Sequence, residues 1–224
     1  LLDWSNWWLT NRKLAPLNLT ALGGDDMQAA RYESGLDNSP MYDGEFFAVT
    51  QPDGYGLMTM YDVGMASIVA MSDESLATLA GAIGRDSDAK MLHTRAAEER
   101  RKIEAHLWDA DLSIYSNRRQ NGSFYPRISP TSFYPMLAGA AAADRATEMI
   151  SKWMLNASHF CVSTAGDFQG NSDDCYWGLP SINAADSAFP RLGYWRGFVW
   201  GPMALLTYWG LAHPAYATVP IVST

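Results

Sequence analysis

The sequence predicts an all-α fold in which helical hairpins are joined by long polar loops. Two observations support this fold class. From residue 62 to residue 107, apolar side chains recur every three or four positions, and Gly84 interrupts them where one helix would end. Elsewhere, stretches rich in Gly, Pro, Asp and Asn separate further apolar helical segments. This alternation is typical of a toroid of helix pairs whose loops surround a central cleft.

The first predicted element is a helix over residues 2–12, because its tryptophans recur at helical spacing and form one aromatic face. Residues 15–26 contain Pro, Gly and Asp, which predicts a loop. Residues 33–56 hold so many Gly and Pro residues that a long helix is excluded there. Polar, irregular backbone is therefore expected on both sides of residue 30.

A helical hairpin is predicted next. Asp62 is placed to cap a helix over residues 63–83, and Gly84 is the residue type that ends helices. A second helix, capped by Asp86 or Ser87, continues to Leu107. Its charged run at positions 98–102 lies mostly opposite the apolar side, so we expect a solvated face there.

The chain after Trp108 predicts a short β-hairpin near 112–127. Its strands are expected at residues 112–115 and 123–127, because Asn121-Gly122 between them favours a tight hairpin turn. Two more helices are expected C-terminal to this hairpin, over 132–143 and 144–155, with Asp144 as the cap of the second.

Residues 160–194 are rich in Gly, Asp, Asn and Ser and predict one long loop, a feature that is usually functional in a compact domain. A last apolar helix should begin after Trp200, where Pro202 suits the first turn, and extend to about Ala212.

Composition excludes several classes of protein. The net charge of −8 argues against a nucleic-acid-binding surface. No apolar run approaches the roughly 20 residues that a membrane-spanning helix requires. Hydrophobic residues make up 48% of the chain, so it can bury a large core and is not expected to be disordered. A folded domain without a nucleic-acid partner or a membrane span is therefore expected.

Cysteine usage and sequons leave the compartment open. Cys161 and Cys175 alone cannot form a zinc site, and they are compatible with either free thiols or a disulfide. Asn18, Asn121 and Asn156 each begin an Asn-x-Ser/Thr triplet, which permits a secretory route without establishing one. The oligomeric state is equally open.

The loop at positions 32–43 holds the first candidate for chemistry. Glu33, Asp37 and Asn38 lie there among Gly and Pro residues that fix an uncommon backbone path. A carboxyl group beside aromatic walls loses hydration, so its pKa rises and it can donate a proton near neutral pH. The alternative is purely structural, since Asp37 or Ser39 could cap the following turn.

The second candidate is the aromatic segment 193–203, which contains Tyr194, Trp195, Arg196 and Trp200. Aromatic rings stack on the C–H faces of a pyranose, and a guanidinium donates hydrogen bonds to its hydroxyls. The alternative is a helix N-terminus packed by its own aromatics, with Arg196 stacked on Trp195 or Trp200. Composition alone leaves both open.

These segments together resemble the signatures of a known family. The run Glu-Ser-Gly-Leu-Asp-Asn-Ser-Pro at positions 33–40 is similar to the signature of glycoside hydrolase family 63 and the related mannosylglycerate-hydrolase-like enzymes, with a looser likeness to trehalases. Three further motifs resemble that group in the same order along the chain: residues 128–139, residues 178–181, and residues 194–202. The resemblance extends over residues 33 to 203 and is therefore more specific than one short match.

The resemblance implies an (α/α)6 barrel and hydrolysis of an α-glucoside or α-mannoside with inversion. It also implies that Asp37, by its place in the first motif, is the general acid. The residues expected to bind the substrate, an oligosaccharide or glycoside, are Glu33, Asn38, Tyr134, Tyr194, Trp195, Arg196 and Trp200. No cofactor and no metal are expected.

The general base is expected beyond Thr224. The family's base is a Glu in a C-terminal motif that has no match upstream, and nothing in the spacing of Asp167, Asp173 and Asp174 marks a base. Six or seven predicted helices, against twelve in a full toroid, and a start without Met favour a fragment or processed product. Residues 1–224 are therefore expected to be part of a single catalytic domain, incomplete and inactive alone.

Three other classes of protein are alternatives. The main one is a non-catalytic helical domain that binds carbohydrate through Trp195 and Arg196. A metal-dependent isoprenoid enzyme is disfavoured, because Asp25-Asp26 and Asp173-Asp174 are isolated pairs without the acidic spacing needed for several Mg²⁺ ions. A purely structural scaffold leaves the long aromatic loops unexplained.

Overall fold

The computed structural model describes residues 1–44, 47–50, 54–160, 162–163, 175–176, 178–189 and 193–223. The helices are α1 (Leu2–Asn11), α2 (Met27–Ser34), α3 (Val63–Ala82), α4 (Asp86–His106), α5 (Tyr134–Leu137), α6 (Ala143–Met149), α7 (Gly201–Leu211) and α8 (Pro220–Ser223). Short 3₁₀ turns occupy Pro40–Tyr42, Pro130–Phe133 and Pro214–Tyr216, and Ile150–Met154 is wound as a π-helix. The predicted dominance of helices is confirmed for the described residues.

Short strands accompany the helices, so the all-α prediction was incomplete. They are β1 (Lys13–Leu14), β2 (Leu19–Thr20), β3 (Gly23–Gly24), β4 (Phe47–Thr50), β5 (Gly56–Met58), β6 (Met60–Tyr61), β7 (Trp108–Asp109), β8 (Ile114–Tyr115), β9 (Asn117–Arg119), β10 (Phe124–Tyr125), β11 (Val162–Ser163) and β12 (Cys175–Tyr176). They form antiparallel sheets of two or three strands, in the orders β1-β2, β3-β5-β4, β7-β8, β10-β9-β6 and β11-β12. Most of these strands are short segments within loops. Hydrophobic periodicity therefore did not reveal them.

The predicted hairpin near 112–127 has a different pairing from the one expected. β9 pairs with β10 around the Asn121-Gly122 turn, where Gly122 has a φ of 95° and its N–H donates to the carbonyl of Arg119 at 2.9 Å. The turn was therefore predicted correctly. The first strand was predicted wrongly, because β8 pairs with β7, the strand before it in the chain, and not with β10.

The hairpin of α3 and α4 is confirmed. The Asp62 carboxylate accepts a hydrogen bond from the Met65 N–H at 2.7 Å, and Gly84 adopts the left-handed conformation with a φ of 74°. The predicted cap of the second helix was wrong by one residue, because Arg85 occupies the N-cap position and Asp86 begins the helix. Asp86 still suits the first turn, since a carboxylate there interacts favourably with the helix dipole.

The charged run on α4 is only partly solvated. Glu99 is buried, and its carboxylate accepts hydrogen bonds from Lys13 at 2.6 Å and from the Thr20 hydroxyl at 3.3 Å. Burial lowers the pKa of Lys13, while the charge of Glu99 opposes that change. The prediction of a solvated face was wrong at Glu99, because the partner that buries it comes from a segment 86 residues earlier.

Of the two helices predicted after the hairpin, the one over 132–143 is much shorter than expected, whereas α6 and the π-helix that continues it cover 143–154, close to the predicted 144–155. The chain enters a 3₁₀ turn before α5, and α5 ends after one turn, since Gly139 has a φ of 64° beside the His213 ring. The helix after Trp200 is confirmed as α7, with Pro202 in its first turn. The residue before α6 in the N-cap position is Ala142, so Asp144 lies within the first turn and is not the cap.

Two buried clusters support the loops. The larger includes residues of α3, α4, β8 and α6 with the buried rings Phe133 and Phe160, which meet edge to face at 5.4 Å. The second lies around the loops at 32–43 and 193–203 and contains Trp8, Tyr42 and Trp195. The loops of the candidate site are therefore packed against buried side chains.

Two helical glycines give opposite expectations for substitution by alanine. A Cβ at Gly210 of α7 would lie 3.0 Å from the Leu137 nitrogen of α5, whereas a Cβ at exposed Gly81 of α3 meets only the Ala89 methyl at 4.0 Å. We expect Gly210→Ala to destabilise the chain by about 1–3 kcal/mol through overpacking. Gly81→Ala should instead stabilise it by about 0.5–1 kcal/mol. Urea unfolding of both variants measures this, and equal effects would contradict the close approach of the helices.

Candidate active site

The first motif forms a tight turn between two buried anchors. α2 ends at Gly35, whose φ is 74°, and the side chains of Leu36 and Met41 are buried on either side of the turn. Ser39 caps the 3₁₀ turn that follows, because its hydroxyl accepts a hydrogen bond from the Met41 N–H at 3.3 Å. The local sequence thus fixes where residue 37 emerges.

Asp37 is half-buried at this turn. Its main-chain carbonyl accepts a hydrogen bond from the Gln28 amide at 3.0 Å, whereas none of the hydrogen bonds among the described residues involves its carboxylate. The structural alternative named Asp37 or Ser39 as the cap of the following turn; it is confirmed for Ser39, and Asp37 does not take that role. The Asp37 carboxylate is therefore left to act outside the local backbone.

A hydrogen bond joins the first motif to the aromatic motif. The side-chain oxygen of Asn38 accepts from the Trp195 N–H at 2.9 Å, although the two residues are 157 positions apart. The aromatic loop is also held from its other side, where the Ser181 hydroxyl accepts from the Gly197 N–H at 3.0 Å. Three of the motifs identified in the sequence therefore meet in space.

The aromatic motif packs on itself. Trp195 and Trp200 stack with ring centroids 4.1 Å apart and an interplanar angle of 19°, and the Tyr194 ring meets both edge-on. Tyr194 has a φ of 45°, and its carbonyl accepts a hydrogen bond from the Trp200 indole at 3.0 Å. Trp195 is 7% exposed and Tyr194 45% exposed. Tyr194 consequently offers the accessible face of the cluster.

Arg196 pairs with a carboxylate and does not stack on the indoles. Its Nη2 donates to the Asp43 carboxylate at 2.7 Å, and Arg31 donates to the same oxygen at 3.1 Å. Burial raises the pKa of Asp43, but the hydrogen bonds and charges of Arg196 and Arg31 outweigh it, so the pKa lies below its usual value. Ionised Asp43 therefore stabilises the fold above about pH 4, and this contribution is lost as the pH falls through the folded-state pKa.

The Glu33 carboxylate is hydrogen-bonded to other groups of the fold. Its carboxylate accepts hydrogen bonds from the Arg12 guanidinium at 2.8 Å and from the Gly23 N–H at 2.8 Å, and Arg12 in turn covers the Trp7 ring. Glu33 also lines a cavity of about 450 Å³ beside the tryptophans of α1. These contacts suit a role of Glu33 in orienting the loop that carries the first motif.

A cavity of about 270 Å³ lies between the two motif loops. It is lined by residues from α2, α3, α5, α7 and the loops between them: Ser34, Gly35, Leu36, Tyr42, Asp62, Gly64, Met65, Ile68, Thr131, Tyr134, Trp195, Pro202, Met203 and Leu206. Tyr134 is 3% exposed, and burial raises its pKa. The wall of this cavity includes Leu36, the residue before Asp37, but neither Asp37 nor Asn38.

Asp62 is a buried member of that wall. Besides capping α3, its carboxylate accepts hydrogen bonds from the Tyr42 hydroxyl at 2.9 Å and from the Asn117 amide at 3.4 Å. Burial raises its pKa, although these hydrogen bonds oppose the change. The sequence identified Asp62 as a cap but gave no sign of its contact with Tyr42, which lies in the loop that carries the first motif.

No sequence signal marked Asp43, Arg31 and Arg127 as a group. Asp43 is only a neighbour of Asp37 along the chain, and the two arginines come from α2 and from the segment after β10. Asp167, Asp173, Asp174 and Cys161 lie outside the described residues, as does the side chain of Cys175. Within the described part of the chain, no group of three or more His, Cys, Asp or Glu residues is arranged to hold a metal ion.

The helices of the described residues are all too short or too polar to cross a membrane. The loop with the half-buried carboxylate is held against the stacked indoles and the paired arginine. This arrangement suits a glycoside hydrolase. The chain belongs to the Mannosylglycerate hydrolase MGH1-like glycoside hydrolase domain family, whose sequence model matches residues 1–219.

Similar proteins agree with this membership. The chain is 28% identical over 137 residues to "Mannosylglycerate hydrolase MGH1" of Selaginella moellendorffii, a match that covers 59% of this chain and 24% of that relative. The chain thus spans about a quarter of the length of that curated relative.

Solved structures show the same fold. A GH63 mannosylglycerate hydrolase from Thermus thermophilus in complex with Tris has a TM-score of 0.70 at 17% identity, covering 97% of this chain and 58% of that one. Neutral trehalase Nth1 from Saccharomyces cerevisiae has a TM-score of 0.58 at 16% identity, covering 88% and 33%. At these identities the likeness concerns the fold.

Proposed function

We propose that this chain is part of the catalytic domain of an inverting α-glycosidase that acts on an α-mannoside or α-glucoside. The observation that carries the proposal is the hydrogen bond from the Trp195 N–H to Asn38, because it brings the residue next to Asp37 against the aromatic motif. On this proposal, the proton donor and the sugar-stacking surface lie on neighbouring loops. Membership of a glycoside hydrolase family supports the same interpretation.

Asp37 is the proposed general acid. In an inverting glycosidase, one carboxylic acid protonates the leaving oxygen while a second carboxylate, about 6.5–9.5 Å away, activates a water molecule on the opposite face of the sugar. Asp37 is half-buried, and its carboxylate has no hydrogen bond among the described residues. It can therefore meet a substrate oxygen.

The sugar is proposed to lie against the aromatic motif. Tyr194 and Trp200 offer ring surfaces for the C–H faces of a pyranose, and Arg196 offers guanidinium N–H groups for its hydroxyls. Tyr134 and Asn38 complete the proposed binding set, with Glu33 holding the loop. Because the curated relative is named for mannosylglycerate, that compound belongs in any substrate panel.

The proposed architecture is an (α/α)6 barrel that residues 1–224 form in part. α3 packs on α5 and α5 packs on α7, while α4 returns antiparallel from α3, as inner and outer helices of a toroid would. The general base is proposed to lie beyond Thr224. The chain covers 58% of the Thermus structure, so a related domain has room for such a residue outside the matched part.

An assay of the isolated 224-residue chain tests whether the general acid lies within it and the general base outside it. We expect it to bind methyl α-mannoside or methyl α-glucoside, seen as a change in tryptophan fluorescence, without turning over an α-glycoside. Robust turnover that is abolished by Glu33→Gln or Asp173→Asn would place a base inside the chain and contradict the proposal.

The polypeptide in which these residues naturally occur tests the reaction. Hydrolysis followed by ¹H NMR should release the β-anomer first from an α-glycoside, since inversion places the new hydroxyl on the opposite face. First release of the α-anomer would contradict inversion. Sugar binding with no hydrolysis at all would favour the alternative, a non-catalytic carbohydrate-binding domain.

A further inference from the structure

Asp43 lies where three separate chain segments meet. Its carboxylate contacts Arg196 of the aromatic loop at 2.7 Å, Arg31 of α2 at 3.1 Å, and Arg127 of the segment after β10 at 3.7 Å. These arginines are all partly shielded from solvent, with 14–25% of each side chain exposed. One carboxylate therefore bridges three loops or helices around the proposed sugar site.

The backbone of Asp43 is fixed independently of its charge. The Tyr125 hydroxyl donates to the Asp43 carbonyl at 2.6 Å, and Arg31 donates to the neighbouring carbonyl of Tyr42 at 2.9 Å. Tyr42 itself is fully buried. A change from carboxylate to amide at position 43 should consequently leave the loop in place and alter only its electrostatics.

The charges around Asp43 do not balance without it. Among the described residues, three guanidiniums face two carboxylates, because Arg127 also pairs with Asp186 at 3.3 Å. Removal of the Asp43 charge leaves three positive groups near one carboxylate, and like charges at such separations repel. Without Asp43, Arg127 keeps Asp186 and Arg31 keeps its hydrogen bond to the Tyr42 carbonyl, whereas the Arg196 guanidinium has no other partner among the described residues, so it is the group expected to move.

We propose that Asp43 is a positioning residue that holds the Arg196 guanidinium beside the stacked indoles, facing the sugar. This inference rests on the proposed function, since it names the residue that orients one of its binding groups. A guanidinium has five N–H donors, and Arg196 directs one of them to Asp43. The remaining donors are thereby presented in a fixed direction, which reduces the entropy lost when a sugar binds.

The test is a double-mutant cycle on sugar affinity. Affinity for methyl α-mannoside or methyl α-glucoside, whichever binds tighter, is measured by tryptophan fluorescence in the wild type, Asp43→Asn, Arg196→Gln and the double variant. We expect each single substitution to weaken binding about tenfold or more, and the double variant to be no worse than Arg196→Gln alone. Asp186→Asn is the matched control, because it removes a carboxylate that touches Arg127 but not Arg196, and it should leave affinity within about twofold.

The outcomes separate this inference from the proposed function. Additive losses, or an unchanged affinity in a folded Asp43→Asn chain, overturn the positioning role while leaving sugar binding intact. A wild type that binds neither sugar overturns the proposed function, and the inference with it. Should Asp43→Asn unfold, Asp43→Glu takes its place in the cycle; it keeps the charge, so it should retain affinity better than Asp43→Ala, and equal losses would contradict the proposal.

Discussion

Replacement of Asp37 by asparagine is expected to lower kcat/KM for an unactivated α-glycoside about 10²–10⁴-fold in the polypeptide that naturally contains this chain. An amide cannot supply the proton that the departing sugar oxygen requires, yet it has nearly the same size as the acid. Sugar affinity should change little, because the aromatic motif and Arg196 stay in place. Steady-state kinetics together with fluorescence titration measure both quantities.

The identity of the leaving group makes this prediction specific. Fluoride departs without protonation, so Asp37→Asn should retain most of the wild-type activity towards an α-glycosyl fluoride. Asp25→Asn, at an exposed position on the loop before α2, is the control and should be active on both substrates. An equal loss on both substrates would mean that Asp37 acts as a binding or structural residue and not as an acid.

Asp62→Ala should destabilise the fold by about 3 kcal/mol, the largest stability effect that we expect of a single side chain here. The substitution removes the cap of α3 and leaves the buried Tyr42 hydroxyl and the Asn117 amide without their shared acceptor. Because Tyr42 belongs to the loop that carries Asp37, sugar binding should weaken as well. Urea unfolding monitored by circular dichroism gives the free energy of unfolding.

The matched comparison is another aspartate cap. Asp26 accepts a hydrogen bond from the Ala29 N–H at 2.8 Å at the start of α2, but it is exposed, and among the described residues its carboxylate has no buried partner of the kind that Asp62 has. Asp26→Ala should therefore cost about 1 kcal/mol. If the two substitutions cost the same, the buried contacts of Asp62 contribute nothing beyond an ordinary helix cap.

Local signals in the sequence were sufficient for the central hairpin. Asp62, the apolar period of α3 and Gly84 each act within a few residues, and the helix formed with the expected start. α2 was missed because only eight residues separate its cap at Asp26 from its end at Gly35, too few for a clear periodicity.

Long-range contacts account for most of what the sequence could not predict. Glu99 looked like part of a solvated face, and only folding brings Lys13 over it. Likewise, nothing in the spacing of Arg31, Asp43, Arg127 and Arg196 indicates that they meet. The motifs themselves were predictable because their residue types suit sugar chemistry and resemble a family signature, whereas the charges that hold them together are distributed along most of the chain.

The bond between Asn38 and Trp195 has a consequence for biosynthesis. A ribosome that adds about 5–20 residues per second needs roughly 8 to 30 s to translate the 157 positions between these partners. During that interval the nascent turn bearing Asp37 has no indole pair to meet. The surface proposed to bind the sugar is therefore among the last parts of this segment to assemble, and helical hairpins such as α3 and α4 can already be folded when it forms.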